Sequence, residues 1–94
     1  MSIGAGVQAY TLEKKETVDK IFSKLAKKNP KQLSIIYKKL EQILDDPYRF
    51  KPLRSDMKNY RGVHIDKHFV LIYSINEAGK KVILKDYDHH ENVF

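Results

Sequence analysis

Four histidines carry most of the chemical capacity of this sequence: His64, His68, His89 and His90. All four fall in its C-terminal half. Imidazole is the side chain best suited to give and take protons near neutral pH. Imidazoles also bind metals. Here, however, His64 and His68 flank an expected hairpin turn rather than lying one turn apart on a helix. No carboxylate stands at a recognisable ligand spacing from them, so no metal site is expected. The absence of cysteine removes thiolate zinc ligation, thiol nucleophiles and a disulfide framework. Nor is there a glycine-rich phosphate loop, a serine elbow or a suggestive pair of carboxylates. Histidines with Lys, Arg and Tyr suit RNA cleavage that needs no metal or other cofactor. RNA brings its own nucleophile, the 2′-hydroxyl. The protein then supplies a base, an acid for the leaving 5′-oxygen and cations for the developing charge.

The charge balance agrees with a polyanionic partner. Lys and Arg number 18 against 12 Asp and Glu, a net charge of +6 on 94 residues. Between Tyr48 and His68 stand Arg49, Lys51, Arg54, Lys58, Arg61 and Lys67 against only Asp56 and Asp66. Tyr48, Phe50 and Tyr60 interleave with them. Cations suit phosphate contact and aromatic rings suit base stacking. An ordinary basic surface with satisfied aromatics would carry the same window.

The elements that must position these residues follow from periodicity. Val7 to Leu12 reads as an early strand. From Glu13 the pattern turns helical, with Val18, Ile21, Phe22 and Leu25 on one face. Asn29-Pro30 punctuates the chain: Asn suits a helix cap, Pro the first helical position, and Gln32 stands three residues beyond the cap. A second helix is expected from Pro30 to about Asp45, buried along Leu33, Ile36, Tyr37, Leu40, Ile43 and Leu44, and stopped by Pro47. The short connection makes the pair an antiparallel hairpin.

Beyond Pro47 the period falls to two. Tyr60 to Asp66, His68 to Ile75 and Lys81 to Tyr87 read as strands, joined by turns at Asp66-Lys67 and Asn76 to Gly79. The run Phe69 to Tyr73 reads as a central strand buried on both faces, with Tyr73 a core tyrosine. A short edge strand near Phe50 to Arg54 is plausible beside Pro52. The expected architecture is one α+β domain over residues 1–94, a helix pair on one face of a mostly antiparallel sheet of four or five strands. By strand parity Arg61 shares a face with Val63 and Ile65, while His64 faces the other way. A twist or bulge would be needed to re-aim Arg61.

Several segments together carry a resemblance: Lys51-Pro52-Leu53-Arg54, Tyr60-Arg61-Gly62-Val63-His64-Ile65, Phe69-Val70-Leu71-Ile72-Tyr73, and the ending His89-His90-Glu91-Asn92-Val93-Phe94. They resemble the RelE/ParE superfamily of toxins, and are most similar to the YafQ-like branch of the RelE mRNA interferases. The likeness covers nearly the whole chain. It implies a toxin of a toxin–antitoxin pair, an endoribonuclease that enters the ribosomal A site and cuts translated mRNA. It also implies a RelB- or DinJ-like antitoxin. On this resemblance His90 matches the C-terminal catalytic histidine, His64 a second active-site histidine, and Phe94 a terminal aromatic that positions mRNA. Arg54 and Arg61 match basic, phosphate-facing positions. The chain departs from the YafQ-like pattern at three places: His68 replaces an acidic residue, Phe69 replaces Trp and Lys51 replaces His. The expected site is therefore His90, His64 and Arg61 for chemistry, with Lys51, Arg54, His68, Tyr87 and Phe94 contacting RNA. Two other readings stay open, a ParE-like toxin that poisons gyrase and an RNA-binding module without catalysis.

No apolar run approaches the ~20 residues of a membrane span. Met1 to Tyr10 lacks a basic stretch followed by an apolar one, so no signal peptide is expected. A cytoplasmic protein without membrane contact or small-molecule cofactor is the expectation.

Overall fold

A computed structural model describes residues 10–53 and 59–93. Its elements run β1 (Thr11–Lys14), α1 (Glu16–Lys28), α2 (Pro30–Asp45), β2 (Tyr60–Ile65), β3 (Phe69–Asn76) and β4 (Lys81–His89), and a 3-10 turn at His90–Asn92 closes the described chain. The strands form one mixed sheet in the order β1-β4-β3-β2. β1 runs parallel to β4, and the other pairs are antiparallel. Both helices lie on one face. The α+β architecture matches the expectation from periodicity.

Neither helix is secured by local signals alone. Helix α1 has 13 residues and no side-chain cap, although Glu16 and Asp19 at its start and Lys27 and Lys28 at its end complement its dipole. A helix of that length is marginal in water, so its burial of Val18 and Phe22 decides its stability. Helix α2 is better punctuated. Gln32 N–H donates to Asn29 Oδ1 at 3.2 Å and Pro30 occupies the first position. The shared core joins Val18 and Phe22 of α1, Leu33, Ile36, Leu40 and Ile43 of α2, and Val63, Ile65, Leu71, Tyr73, Val82, Leu84 and Tyr87 of the sheet.

Several points differ from the periodic reading: helix α1 starts at Glu16 rather than Glu13, because Glu13 and Lys14 pair with β4, and Tyr37 of the α2 stripe is exposed. The first strand is Thr11–Lys14 rather than Val7 to Leu12, of which residues 7–9 lie outside the described residues. All four of its side chains are exposed, so no alternation marks it. Backbone pairing holds it: Thr11 N–H donates to Lys80 O, and Lys15 N–H to Leu84 O. The fifth strand is also reduced. Pro52 makes only an isolated bridge to Arg61, and Leu53 N–H donates to Tyr60 O at 2.8 Å. Proline has no N–H to continue a ladder.

That segment crosses to the outer face of the sheet, away from the helices. There Leu53 packs with Val70 and Ile72, and Tyr60 and Val93 lie against them. Gly62 leaves room for this packing. A β-carbon at position 62 would stand 2.7 Å from Leu53 Cδ1 and 3.1 Å from Val70 Cγ1.

Two tyrosine hydroxyls anchor the connection from α2 to β2. Tyr73 is fully buried and donates to Pro47 O at 2.6 Å. Burial pushes its pKa up to about 12. Tyr48 donates to Glu77 Oε1 at 2.6 Å, and Tyr10 donates to the same oxygen at 2.7 Å. Lys80 also pairs with Glu77. These partners, Lys80 first, hold the Glu77 carboxyl down at about 2. One carboxylate in the β3–β4 turn thus ties down both Tyr10 and the loop after α2.

Removing the buried hydroxyl in Tyr73→Phe leaves the Pro47 carbonyl unsatisfied and should cost ~1–3 kcal/mol. Urea unfolding of the variant measures this, and an unchanged midpoint would refute the anchor. The Glu77 cluster sets a pH dependence. A carboxylate whose folded pKa lies below its unfolded value stabilises the fold above the unfolded value, ~4.3. That contribution should fade as pH falls from about 5 toward 2. Midpoints recorded across this window should fall less steeply in Glu77→Gln than in the native chain, and parallel curves would contradict the assignment.

Candidate functional site

The outer face and one end of the sheet collect most of the residues with chemical capacity. β2 is an edge strand, paired on one side with β3. Beside its other edge, the Phe50–Leu53 segment and α2 leave a groove of about 430 Å³, lined by Lys39, Lys51, Pro52, Gly62 and His64 among others. His64 is exposed at its rim. Its ladder partner is the fully buried Val70, so it stands over the apolar patch of the outer face.

Lys51, read from the sequence as a phosphate contact, is exposed in this groove. Lys39 was not expected. It interrupts the apolar stripe of α2 between Ile36 and Leu40, a position that reads as solvated face. In the fold it is half-buried, with Nζ 6.0 Å from the Phe50 ring centroid. Its alkyl stem covers apolar surface while the ammonium reaches the groove. Only the placement of Phe50 makes this visible.

His68, His89 and His90 gather at one end of the sheet, before β3 and at the close of β4. His68 O accepts from His90 N–H at 2.7 Å, which carries the pairing of β3 and β4 one step beyond the strands. His89 lies between its neighbours in the stack: its ring centroid is 5.7 Å from that of His68 and 5.2 Å from that of His90, with planes inclined by 18° and 21°. Phe69 meets His89 edge-on at 5.5 Å and stacks on Tyr87 at 5.2 Å. The tail then folds over the outer face. His89 Nδ1 accepts Glu91 N–H at 3.4 Å, Asn92 Nδ2 donates to Asp88 Oδ1 at 3.0 Å, and Val93 packs against the cluster of Leu53, Val70 and Ile72. The ending is therefore a built turn rather than a loose terminus.

His64 and His90 are thus joined through one apolar patch. His64 is the β2 neighbour of Val70, and Val93, three residues past His90, rests on the cluster containing Val70. Lys51 lines the same groove as His64. Arg54 and Phe94 lie outside the described residues.

Arg61 and Tyr87 stand elsewhere. Arg61 faces the helix side, opposite Tyr73. Its Nη1 donates to Phe50 O at 2.6 Å, and its guanidinium lies 5.1 Å from the Tyr48 ring centroid. Strand parity foresaw this direction, and no bulge in β2 reverses it. Arg61 holds the loop that carries Lys51, rather than facing His64. Tyr87, expected at the RNA surface, is instead buried in the core, where its hydroxyl donates to Gln32 Oε1 at 2.7 Å. Burial raises its pKa. The reason is a β-bulge in β4. Ile72 pairs with Asp86 and Tyr73 with Leu84, leaving Lys85 as the extra residue. The bulge exchanges the faces of β4, so that Val82 and Leu84 before it and Tyr87 after it all point at the helices.

This fold and chain match known toxins. The family model for the ParE toxin of the type II toxin–antitoxin system parDE matches residues 9–94. A Methanocaldococcus jannaschii protein named "Putative toxin RelE4" is 42% identical over 85 residues, covering 90% of each chain. Among solved structures, a YoeB/ParE toxin from Agrobacterium tumefaciens superposes with a TM-score of 0.76 at 14% identity, covering 85% of this chain and 98% of its own. The toxin–antitoxin complex RelBE2 from Mycobacterium tuberculosis contains a chain with a TM-score of 0.70 at 24% identity, covering 88% and 99%. The family match spans nearly the whole sequence, and the two structures share its fold: the chain belongs to the ParE toxin family of type II toxin–antitoxin systems, within the RelE/ParE superfamily.

Proposed function

We propose that this toxin is a ribosome-dependent endoribonuclease that cuts translated mRNA without a metal. The observation that carries the reading is the convergence of His64, Lys51 and Lys39 on one groove beside the tail that bears His90. In the proposed reaction one imidazole removes the proton from an RNA 2′-hydroxyl. The freed oxygen attacks the adjacent phosphorus, and the bond to the 5′-oxygen breaks as a second acid delivers a proton to it. A 2′,3′-cyclic phosphate and a 5′-hydroxyl result. Because the substrate contains the nucleophile, no metal-bound hydroxide is required. His64 and His90 are the acid–base pair in this scheme. Lys51 and Lys39 offset the charge that develops on the phosphate, an effect strongest where water is excluded. Arg61 acts as a positioning residue through the Phe50 carbonyl. Arg54 and Phe94 are proposed as further RNA contacts on the resemblance alone.

The partners follow from the family. The RelBE2 neighbour is described as a toxin–antitoxin complex, and this chain is proposed to bind a RelB- or DinJ-like antitoxin. A surface of net charge +6 would draw an acidic one. The proposed site of action is the cytoplasm, where the ribosomal A site presents mRNA. No helix among the described residues is long and apolar enough to cross a membrane.

A second reading rests on a specific observation, the match to a ParE family model. A ParE-like toxin would inhibit gyrase and leave RNA intact. One experiment separates the two. Purified toxin, stripped of metal by EDTA that is then removed, is added to programmed ribosomes, beside a gyrase supercoiling assay. Cutting by the metal-stripped toxin that falls by ~100-fold or more in His90→Ala is expected, given the usual ~10²–10⁴-fold contribution of a general acid or base. Gyrase inhibition without RNA products would replace this reading with the other, and undiminished cutting by the variant would remove His90 from the chemistry.

A further inference from the structure

We infer that the three imidazoles at the end of the sheet form a stacking platform whose outer plate, His68, receives an unpaired RNA base. The inference rests on the nuclease reading above for the identity of the ligand, and adds to it how that ligand is held. His68, His89 and His90 stand in nearly parallel planes at successive spacings of 5.7 and 5.2 Å. His89 and His90 are half-buried, whereas His68 is exposed. The stack therefore ends in water at His68.

This arrangement is held from below and from the side. Phe69 meets the His89 ring edge-on and is itself stacked on the buried Tyr87. The bond from His90 N–H to His68 O fixes the two outer histidines to each other through the backbone. A pre-ordered aromatic surface loses little conformational freedom when a flat ligand settles on it. Sequence-tolerant recognition of single-stranded RNA uses such surfaces, because every base has a π face.

The surroundings fit a nucleotide better than another flat molecule. Lys67 precedes His68 and is exposed on the β2–β3 turn, where Asp66 adopts a left-handed conformation with φ 57°. On the helix side of the same end, Lys24 and Lys28 line a cleft with Phe69 and Tyr87. Among the described residues none of these three lysines makes an ion pair. A base on His68 would thus have Lys67 next to it in sequence to meet its phosphates, with Lys24 and Lys28 in a cleft beyond Phe69 that Asp88 also lines. His68 here contributes a ring face, so an aromatic ring without ionisable nitrogen should replace it.

The test uses the full chain and a fully 2′-O-methylated RNA carrying one 2-aminopurine, whose fluorescence falls when the base stacks. Methylation blocks 2′-hydroxyl attack, so the readout is independent of cutting. The native protein should quench the probe. His68→Ala should bind ~5- to 150-fold more weakly and lose the quenching, as alanine substitutions at stacking positions do. His68→Phe should restore both. Quenching unchanged in His68→Ala, or His68→Phe as weak as His68→Ala, would overturn the platform, and so would failure of the native protein to bind the probe. Quenching by a native protein that leaves programmed ribosomes uncut would preserve the platform while removing the nuclease reading.

Discussion

The bulge at Lys85 is the constraint on which the rest of this small protein turns. Strand β4 lies between β1 and β3, so it must serve the core along its length. Its sequence cannot do so with a single alternation. Val82 and Leu84 point at the helices, and strict alternation would then send Asp86 and Asp88 into the core. Burying an unpaired carboxylate is among the costliest events available to a fold. One extra residue exchanges the faces, brings Tyr87 inward and turns both carboxylates outward. The same exchange places His89 on the row of Phe69, which makes the aromatic and imidazole stack possible.

A second constraint acts at the opposite edge of the sheet. The outer face of the sheet is not left open; Leu53 and Val93 cover its apolar patch from two directions. Gly62 leaves the space that the Leu53 side chain fills. Arg61 on the other face holds the same segment through the Phe50 carbonyl. Adjacent residues of β2 thus act on opposite faces to fix one loop, and that loop carries Lys51 to the groove of His64 and Lys39. The cluster around Glu77 stands at the far end of the sheet, where it anchors the loop after α2. The Glu77 anchor and the imidazole stack therefore lie at opposite ends of β3 and β4.

Much of this was legible in the residues. The Asn29-Pro30 start and the Pro47 stop gave α2 nearly to the residue, whereas α1 begins at Glu16 rather than Glu13 because Glu13 and Lys14 pair with β4. The continuous run Phe69 to Tyr73 marked the central strand because both of its faces are covered. Parity alone turned Arg61 away from His64. The end of the first strand at Lys14 escaped, because Thr11–Lys14 buries no side chain and is defined by backbone bonds to β4. Tyr87 was misplaced because a bulge depends on how β4 registers against β3, which no local pattern contains.

The sequence by itself determined the fold class, the helix pair, the central strand and the kind of chemistry available: imidazoles and cations without thiols. Those follow from period, punctuation and side-chain type, all of which are local. The tertiary structure alone decided which of these groups meet. It put Lys39 beside Lys51, joined His64 to the tail through Val70, moved Tyr87 into the core and stacked three histidines separated by up to 22 positions. Such meetings depend on sheet register and on side chains from distant segments sharing one surface, and neither is written in any single stretch of the chain.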